Sequence, residues 1–221
     1  TDTIQLTTFS AVTDLQFTNV SGMEKLVLDA VISATTVVGA VLGTNAKTAF
    51  ADGVTVTSGT TANNTAYSFA SGLYDKGVTL TLVSSSDAAD TTDPISVTTN
   101  VGDDTITITA ASWVGAAGPT ATLLVDTGAG VDTISVTTAT AITDATTANQ
   151  KVIDAGTGAD VITLAGVNHT IGESYFQLKV AAGDSTQTAY DKVTGFDLAS
   201  NTLVADALDF DTFSVTGAVA A

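Results

Sequence analysis

The sequence predicts an all-β protein, a right-handed parallel β-solenoid or β-roll-like stack with coils of about 28 residues and irregular ends. Short alternations of Val, Ile, Leu and Thr run from one end of the chain to the other, and clusters of Gly, Asp and Asn separate them. Alternation with a period of two indicates strands with one buried face, whereas helix-period patterns are scarce. One unit of turn and strand also recurs at a fixed interval.

The repeat is clearest in residues 100–108, 128–136 and 156–164, each of which contains a Gly-rich turn, an aspartate and a strand. The aspartates follow one another at intervals of 28 residues, as Asp104, Asp132 and Asp160. The strand before each turn keeps the same interval, as Val97, Val125 and Ile153. Each unit is therefore a strand, a tight turn, a second strand and a variable loop.

Stacked coils bury the apolar row that a single coil cannot bury alone. Continuing backwards by the same interval reaches residues 76–82, a fourth coil without an aspartate, in which Lys76 takes the aspartate's position as a fixed cation or a plain surface lysine. The predicted inward rows are Val78, Ile106, Ile134 and Ile162, and Leu80, Ile108, Val136 and Leu164. The predicted outward rows are Thr79, Thr107, Ser135 and Thr163, beside Thr81, Thr109 and Thr137.

Outside the regular coils the pattern loosens. Residues 14–28 alternate in two short pieces, residues 52–57 repeat the strand type, and residues 175–180, 191–197 and 209–215 indicate later strands. We therefore expect irregular N-terminal β coils over 1–60, a regular β-solenoid with Gly/Asp turns over 61–180, and a C-terminal β cap, or a lead-in to further sequence, over 181–221. We also expect the chain to be an excerpt of a longer one.

Composition limits the partners. The 23 acidic residues against six basic ones leave a formal net charge of −17, so nucleic acid and anionic membranes are poor partners and no membrane insertion is expected. The 44% apolar content permits a core, and the lack of cysteine excludes disulfides and thiolate metal sites. The charge indicates either divalent cations between carboxylates or a solvated acidic coat.

The aspartate turns predict a calcium site. Stacking coils at about 4.8 Å sets the aspartates in a column whose charges repel unless a cation neutralises them, and calcium accepts hard oxygen ligands in flexible geometry. Gly and Asp are also simply favoured turn residues, which is the alternative. The candidate metal ligands are Asn100, Gly102, Asp104, Gly128, Gly130, Asp132, Gly156, Gly158 and Asp160, with Asp126 and Asp154 as outer ligands.

A second acidic group lies in the loop that contains Asp87, Asp90 and Asp93. Three carboxylates within seven residues can converge on a separate calcium ion, although a solvated acidic loop is the alternative.

The three turns resemble the glycine- and aspartate-rich nonapeptide of repeats-in-toxin (RTX) proteins, and the Thr/Ala/Val/Gly-rich composition without cysteine resembles the surface-layer (S-layer) proteins of Gram-negative bacteria that carry such repeats. The sequence departs from the nonapeptide where Thr127 and Ala155 replace its first glycine and Asn100 its second. The resemblance implies calcium bound between coils, type I secretion, an extracellular place at the cell surface, and attachment to cell-surface polysaccharide.

We accordingly expect a structural component of an extracellular surface layer or filament that self-associates with calcium and is not an enzyme. His169 is the sole histidine, so a Ser-His-Asp arrangement would have to pass through it; we expect it in a loop and expect no catalytic role for it. The alternatives are an adhesin, an ice- or carbohydrate-binding solenoid that uses the threonine rows, and the calcium-binding tail of a type I-secreted enzyme.

Overall fold

A computed structural model of the chain is a parallel β-solenoid, as the sequence predicts, and each coil contributes one strand to each of two sheets. The structure describes residues 1–6, 11–28, 38–58, 67–84, 95–110, 123–138, 151–165, 176–181, 183–195, 202–205 and 214–216. All described strand pairs are parallel.

Sheet 1 contains nine strands in chain order: β1 (Thr3–Leu6), β3 (Lys25–Leu28), β5 (Val54–Ser58), β7 (Val78–Ser84), β9 (Thr105–Ala110), β11 (Thr133–Thr138), β13 (Val161–Ala165), β15 (Lys192–Thr194) and β17 (Ser214–Thr216). Sheet 2 contains eight: β2 (Ala11–Val12), β4 (Val38–Val41), β6 (Tyr67–Ala70), β8 (Ile95–Thr98), β10 (Leu123–Asp126), β12 (Lys151–Asp154), β14 (Phe176–Val180) and β16 (Thr202–Ala205).

The predicted interval holds through the centre of the stack. In sheet 1, Ile106 pairs with Ile134 and Ile134 with Ile162, and in sheet 2 Ile95 pairs with Leu123. The side chains of the predicted inward rows are all buried, because alternation turns every second residue of a strand toward the space between the sheets.

One predicted register is wrong. Leu80, and not Val78, pairs with Ile106, so the interval between β7 and β9 is 26 residues. The connection from β6 to β7 is the cause: eight residues lie between Ala70 and Thr79, whereas six lie between their partners Thr98 and Thr105. Val78 is still buried, but it pairs with Val54 on the other side.

The N-terminal coils differ from the expected pair of strands. Asp14–Phe17 forms a 3₁₀ helix, and the strand β3 follows it. A short helix α1 (Thr44–Ala49) lies beside the 3₁₀ helix. Asp14 Oδ1 accepts the backbone N–H groups of Gly43 and Ala46, and the ring of Phe17 packs edge-on against Phe50 with centroids 5.3 Å apart. Residues 14–17 alternate as a strand does, but the same four residues also suit a short helix with one buried side chain.

Candidate functional site

The three repeat aspartates lie inside the solenoid. Asp104, Asp132 and Asp160 each come directly before a strand of sheet 1, and none is more than 1% exposed. Because the strands stack in register, the three carboxyl groups form one interior row, which we call the aspartate column.

Each carboxyl group of the column joins two successive coils. Asp132 Oδ1 accepts the backbone N–H of Asp104 at 2.8 Å, and Asp160 Oδ1 accepts that of Asp132 at 2.8 Å. In the opposite direction, the backbone carbonyl of Asp104 accepts the N–H of Thr133 at 2.8 Å. A buried N–H without an acceptor is costly, so the aspartate supplies the acceptor that the backbone lacks where the turn enters the strand.

The column begins and ends differently from the prediction. The N–H of Val78 donates to Asp104 Oδ1 at 2.7 Å, so Val78 occupies the position that the 28-residue interval assigns to Lys76. At the other end the N–H of Asp160 donates to Asp191 Oδ1 at 3.0 Å, and the N–H of Asp191 donates to Ser185 Oγ at 3.0 Å.

Asp191 is therefore a fourth member of the column that sequence analysis missed. It is 3% exposed and lies 31 residues after Asp160, without a Gly-x-Gly turn before it. The available signal was the phrase Asp-x-Val-Thr at 191–194, which matches the Asp-x-Ile-Thr of residues 160–163 and 104–107.

The second oxygen of each repeat aspartate has no hydrogen-bond partner among the described residues. These atoms are Oδ2 of Asp104, Asp132 and Asp160, and all three are buried. Burial raises the pKa of Asp104 to about 6, and burial together with the carboxylates of Asp191 and Asp132 raises that of Asp160 to about 7. Burial also raises the pKa of Asp191 to about 6 and that of Asp132 above its ordinary value.

A row of buried hydroxyl groups accompanies the column. The Thr99 hydroxyl donates to the carbonyl of Thr127 at 3.1 Å, and the Thr127 hydroxyl donates to that of Ala155 at 3.0 Å. The two threonines also lower the pKa of Asp104 and Asp132, against the larger effect of burial. Ala155 provides no hydroxyl beside Asp160. The Thr127 side chain supports the turn at a position where the RTX nonapeptide has glycine.

The glycines are required because the turns stack backbone on backbone. A Cβ on Gly130 would lie 2.1 Å from the carbonyl oxygen of Gly102, and one on Gly158 would lie 1.6 Å from that of Gly130. Gly128 and Gly156 show the same close approach to the coil before them, at 1.9 Å and 1.7 Å. No side chain fits at these positions while the coils keep their spacing.

The turn carbonyls take part in bonds between coils. The carbonyl of Asn100 accepts the N–H of Ala129 at 2.8 Å, and that of Gly128 accepts the N–H of Thr157 at 2.8 Å. The carbonyl oxygens of the candidate ligands Asn100 and Gly128 are therefore already bonded to the next coil, although each carbonyl keeps a second lone pair.

Asp126 and Asp154 are separate from the column. They pair in register on β10 and β12, at positions that alternate with the buried Val125 and Ile153, and so they face outward from sheet 2. Burial and the neighbouring Asp154 raise the pKa of Asp126, and Lys179 Nζ lies 3.8 Å from Asp154 Oδ2. Asp87, Asp90, Asp93 and His169 lie outside the described residues.

The donor chemistry of the column suits a hard cation, since each repeat coil offers one buried carboxylate oxygen that has no partner among the residues the structure describes. Calcium takes six to eight oxygen ligands, and among the described residues no three Asp, Glu or His side chains converge on one point. Calcium at Asp104, Asp132 and Asp160 therefore stays a prediction, with water or further carbonyls needed to complete its ligands.

The fold and this row of side chains define a parallel β-solenoid with an interior aspartate column. Comparison of the chain with protein-family models, with curated proteins and with solved structures finds no match. In the described part of the chain, no helix has the length and apolar character that crossing a bilayer requires.

We expect Gly128→Ala to destabilise the solenoid far more than Gly183→Ala. Both glycines have positive φ, +82° and +95°, so both substitutions cost about 1–2 kcal/mol in backbone strain, but a Cβ at 183 meets no atom of the described residues within 4 Å. Only the first variant must push two coils apart. Urea unfolding followed by circular dichroism measures the difference, and equal losses would show that the turns do not stack closely.

We expect Asp132→Ala to lower the free energy of unfolding by about 1–3 kcal/mol, because it leaves the buried N–H of Asp104 without an acceptor. Asp132→Asn keeps the hydrogen-bond acceptor and removes the charge. In the presence of chelator it should therefore lower the free energy of unfolding by less than Asp132→Ala does. Asp103→Ala is the matched control, since Asp103 Oδ1 accepts the N–H of Val131 at an exposed position. Equal effects of Asp132→Ala and Asp103→Ala would contradict the role of the column.

Without divalent metal, we expect thermal stability to fall as pH rises from about 4 to about 7. The folded chain keeps protons on Asp104, Asp160 and Asp191, whose pKa values are about 6 to 7, after the unfolded chain has lost them near 3.8. Each unit of pKa difference corresponds to roughly 1.4 kcal/mol, so each of the three groups should contribute a loss of about a few kcal/mol.

Melting temperatures measured in chelator between pH 4 and pH 8 test this dependence, and Asp160→Asn should flatten it. Asp14 contributes in the opposite sense. Burial raises the pKa of Asp14, but hydrogen bonds from Asn45, Ala46 and Gly43 outweigh burial and lower the pKa. The stability that Asp14 contributes is therefore lost only at more acidic pH. A melting temperature that rises across the range would contradict the prediction.

Proposed function

We propose that the chain is a structural module of an extracellular bacterial surface layer or filament, and that it self-associates with calcium. One observation carries the proposal: the repeated aspartates use their side chains to hold one coil to the next. A motif whose chemistry serves the stack itself favours a building element over a catalyst. The same N–H to carboxylate contact can repeat for as many coils as the chain contains.

Calcium has a physical role in this proposal. The chain carries a formal charge of −17, and the carboxylates counted in that charge include those of the buried column, where Asp104 and Asp160 do not ionise easily in the folded state. A divalent cation near the Oδ2 atoms would favour the ionised form and offset the repulsion along the column. The similarity of the turns to RTX repeats supports the same ion, and with it type I secretion, a cell-surface location and attachment to polysaccharide.

A second candidate function is a binding solenoid. The outer face of sheet 1 carries rows of threonine, which also suit an adhesin or an ice- or carbohydrate-binding protein. The calcium-binding tail of a type I-secreted enzyme is a third candidate, and it rests on the RTX resemblance alone.

Calcium titration of the chelator-treated protein tests the proposal, with circular dichroism for folding and light scattering for particle size. We expect calcium to raise the melting temperature at pH 7.5 and to increase particle size, whereas magnesium at the same concentration should do less. Asp132→Asn, which keeps the hydrogen-bond acceptor but removes one charge, should weaken the calcium response.

The outcomes separate the candidates. If neither folding nor assembly changes with calcium or chelator, the proposal of a calcium-dependent layer is refuted. A chain that gains stability with calcium but stays monomeric would favour the adhesin or the enzyme tail.

A further inference from the structure

The outer face of sheet 1 carries no charged residue over five successive strands, although the chain as a whole is strongly acidic. We define the threonine face as the outward residues of β5, β7, β9, β11 and β13: Thr55, Thr57, Thr79, Thr81, Val83, Thr105, Thr107, Thr109, Thr133, Ser135, Thr137, Val161, Thr163 and Ala165. None of these residues is charged. The nearest charged residues in the same rows are cationic, Lys25 on β3 and Lys192 on β15.

The observed register makes this face more regular than the sequence suggested. Thr79 pairs with Thr105 and Thr105 with Thr133, so one row contains threonine on four successive strands from Thr55 onward. The parallel row runs through Thr57, Thr81, Thr107, Ser135 and Thr163. The two-residue correction between β7 and β9 is what aligns these rows.

The other described surfaces carry carboxylates. Asp126 and Asp154 lie on the outer face of sheet 2, and the exposed residues Asp52, Asp75 and Asp103 lie in the connections that lead into sheet 1. Two copies of a chain with a charge of −17 repel each other through such surfaces. The threonine face is the broad described surface on which two copies can meet without bringing carboxylates together.

We infer that the threonine face is the contact surface between copies of this chain, packed face to face on the same face of a second copy. The inference rests on the proposed function and identifies the subunit contact within it. β-branched side chains on facing sheets pack at about 10 Å, and the lack of charge on both sides removes the cost of desolvating ions.

The size of the face indicates a weak contact that gains strength by repetition. Five strands spaced at about 4.8 Å, with up to three outward positions each, cover roughly 20 Å by 13 Å. A stable isolated dimer buries roughly 800 Å² per partner, which is more than such an area provides. Several copies joined in a layer or filament would strengthen the contact through multivalency.

Paired charge substitutions test the inference in the full chain with calcium present. Thr79→Glu/Thr133→Glu places two like charges on exposed positions two strands apart, and should weaken self-association at least roughly tenfold by sedimentation or light scattering. Ser68→Glu/Leu124→Glu is the matched control, because these exposed residues are also two strands apart but lie on the outer face of sheet 2. Circular dichroism and melting temperature confirm that both variants fold.

A charge-swapped mixture makes the test independent of stability. Thr79→Lys/Thr133→Lys alone should also associate poorly, whereas an equimolar mixture with Thr79→Glu/Thr133→Glu should recover association. Added sodium chloride should strengthen wild-type association, because it screens the net charge without weakening an uncharged contact.

Three results would overturn the inference. If both glutamate variants reduce association equally, or if neither reduces it, the contact between copies lies elsewhere. Either result would leave the proposed layer unaffected. Inhibition of ice growth or binding to a neutral polysaccharide that is lost only in Thr79→Glu/Thr133→Glu, with association unchanged, would assign the face to that ligand. A wild-type chain that stays monomeric at every calcium and salt concentration would refute the proposed function itself.

Discussion

The hydrogen bond from the backbone N–H of one column residue to the carboxylate of the aspartate one coil later is the contact on which the solenoid depends. Inside a strand the neighbouring strands satisfy every backbone group, but where a turn enters a strand the ladder has not yet begun. Asp104, Asp132, Asp160 and Asp191 supply acceptors at that corner. Each coil is thereby fixed to the next at the point where the chain changes direction.

The same contact creates an electrostatic difficulty. An aspartate brings two oxygens into the core, and in the three repeat aspartates only Oδ1 has a partner within the described part of the chain. The carboxyl group must therefore hold a proton, as the raised pKa values of Asp104 and Asp160 indicate, or lie near a cation. The interior that holds the coils together is also the part of the molecule most sensitive to pH and to metal ions.

Close packing at the turns and the distribution of surface charge follow from the stack. Coils at strand spacing leave no room for a Cβ at Gly128 or Gly130, so glycine at these positions is a steric requirement of the stack whether or not an ion is bound. On the outside, alternation turns every second residue of β7, β9 and β11 toward solvent, and these positions carry mainly β-branched threonine and no charge. The fold thus separates buried charge from an uncharged face.

The sequence by itself determined the all-β class, the 28-residue interval and the burial of the inward rows, because a period of two and a repeated turn are local patterns. The tertiary structure alone decided the pairing of Leu80 with Ile106, the place of Val78 at the head of the column and the outward position of Asp126. It also revealed Asp191, which follows a loop unlike the other turns. The physical reason is that register between coils depends on the shape and length of the connections, and a local pattern specifies which side of a strand is buried but not which residue of the next coil lies beside it.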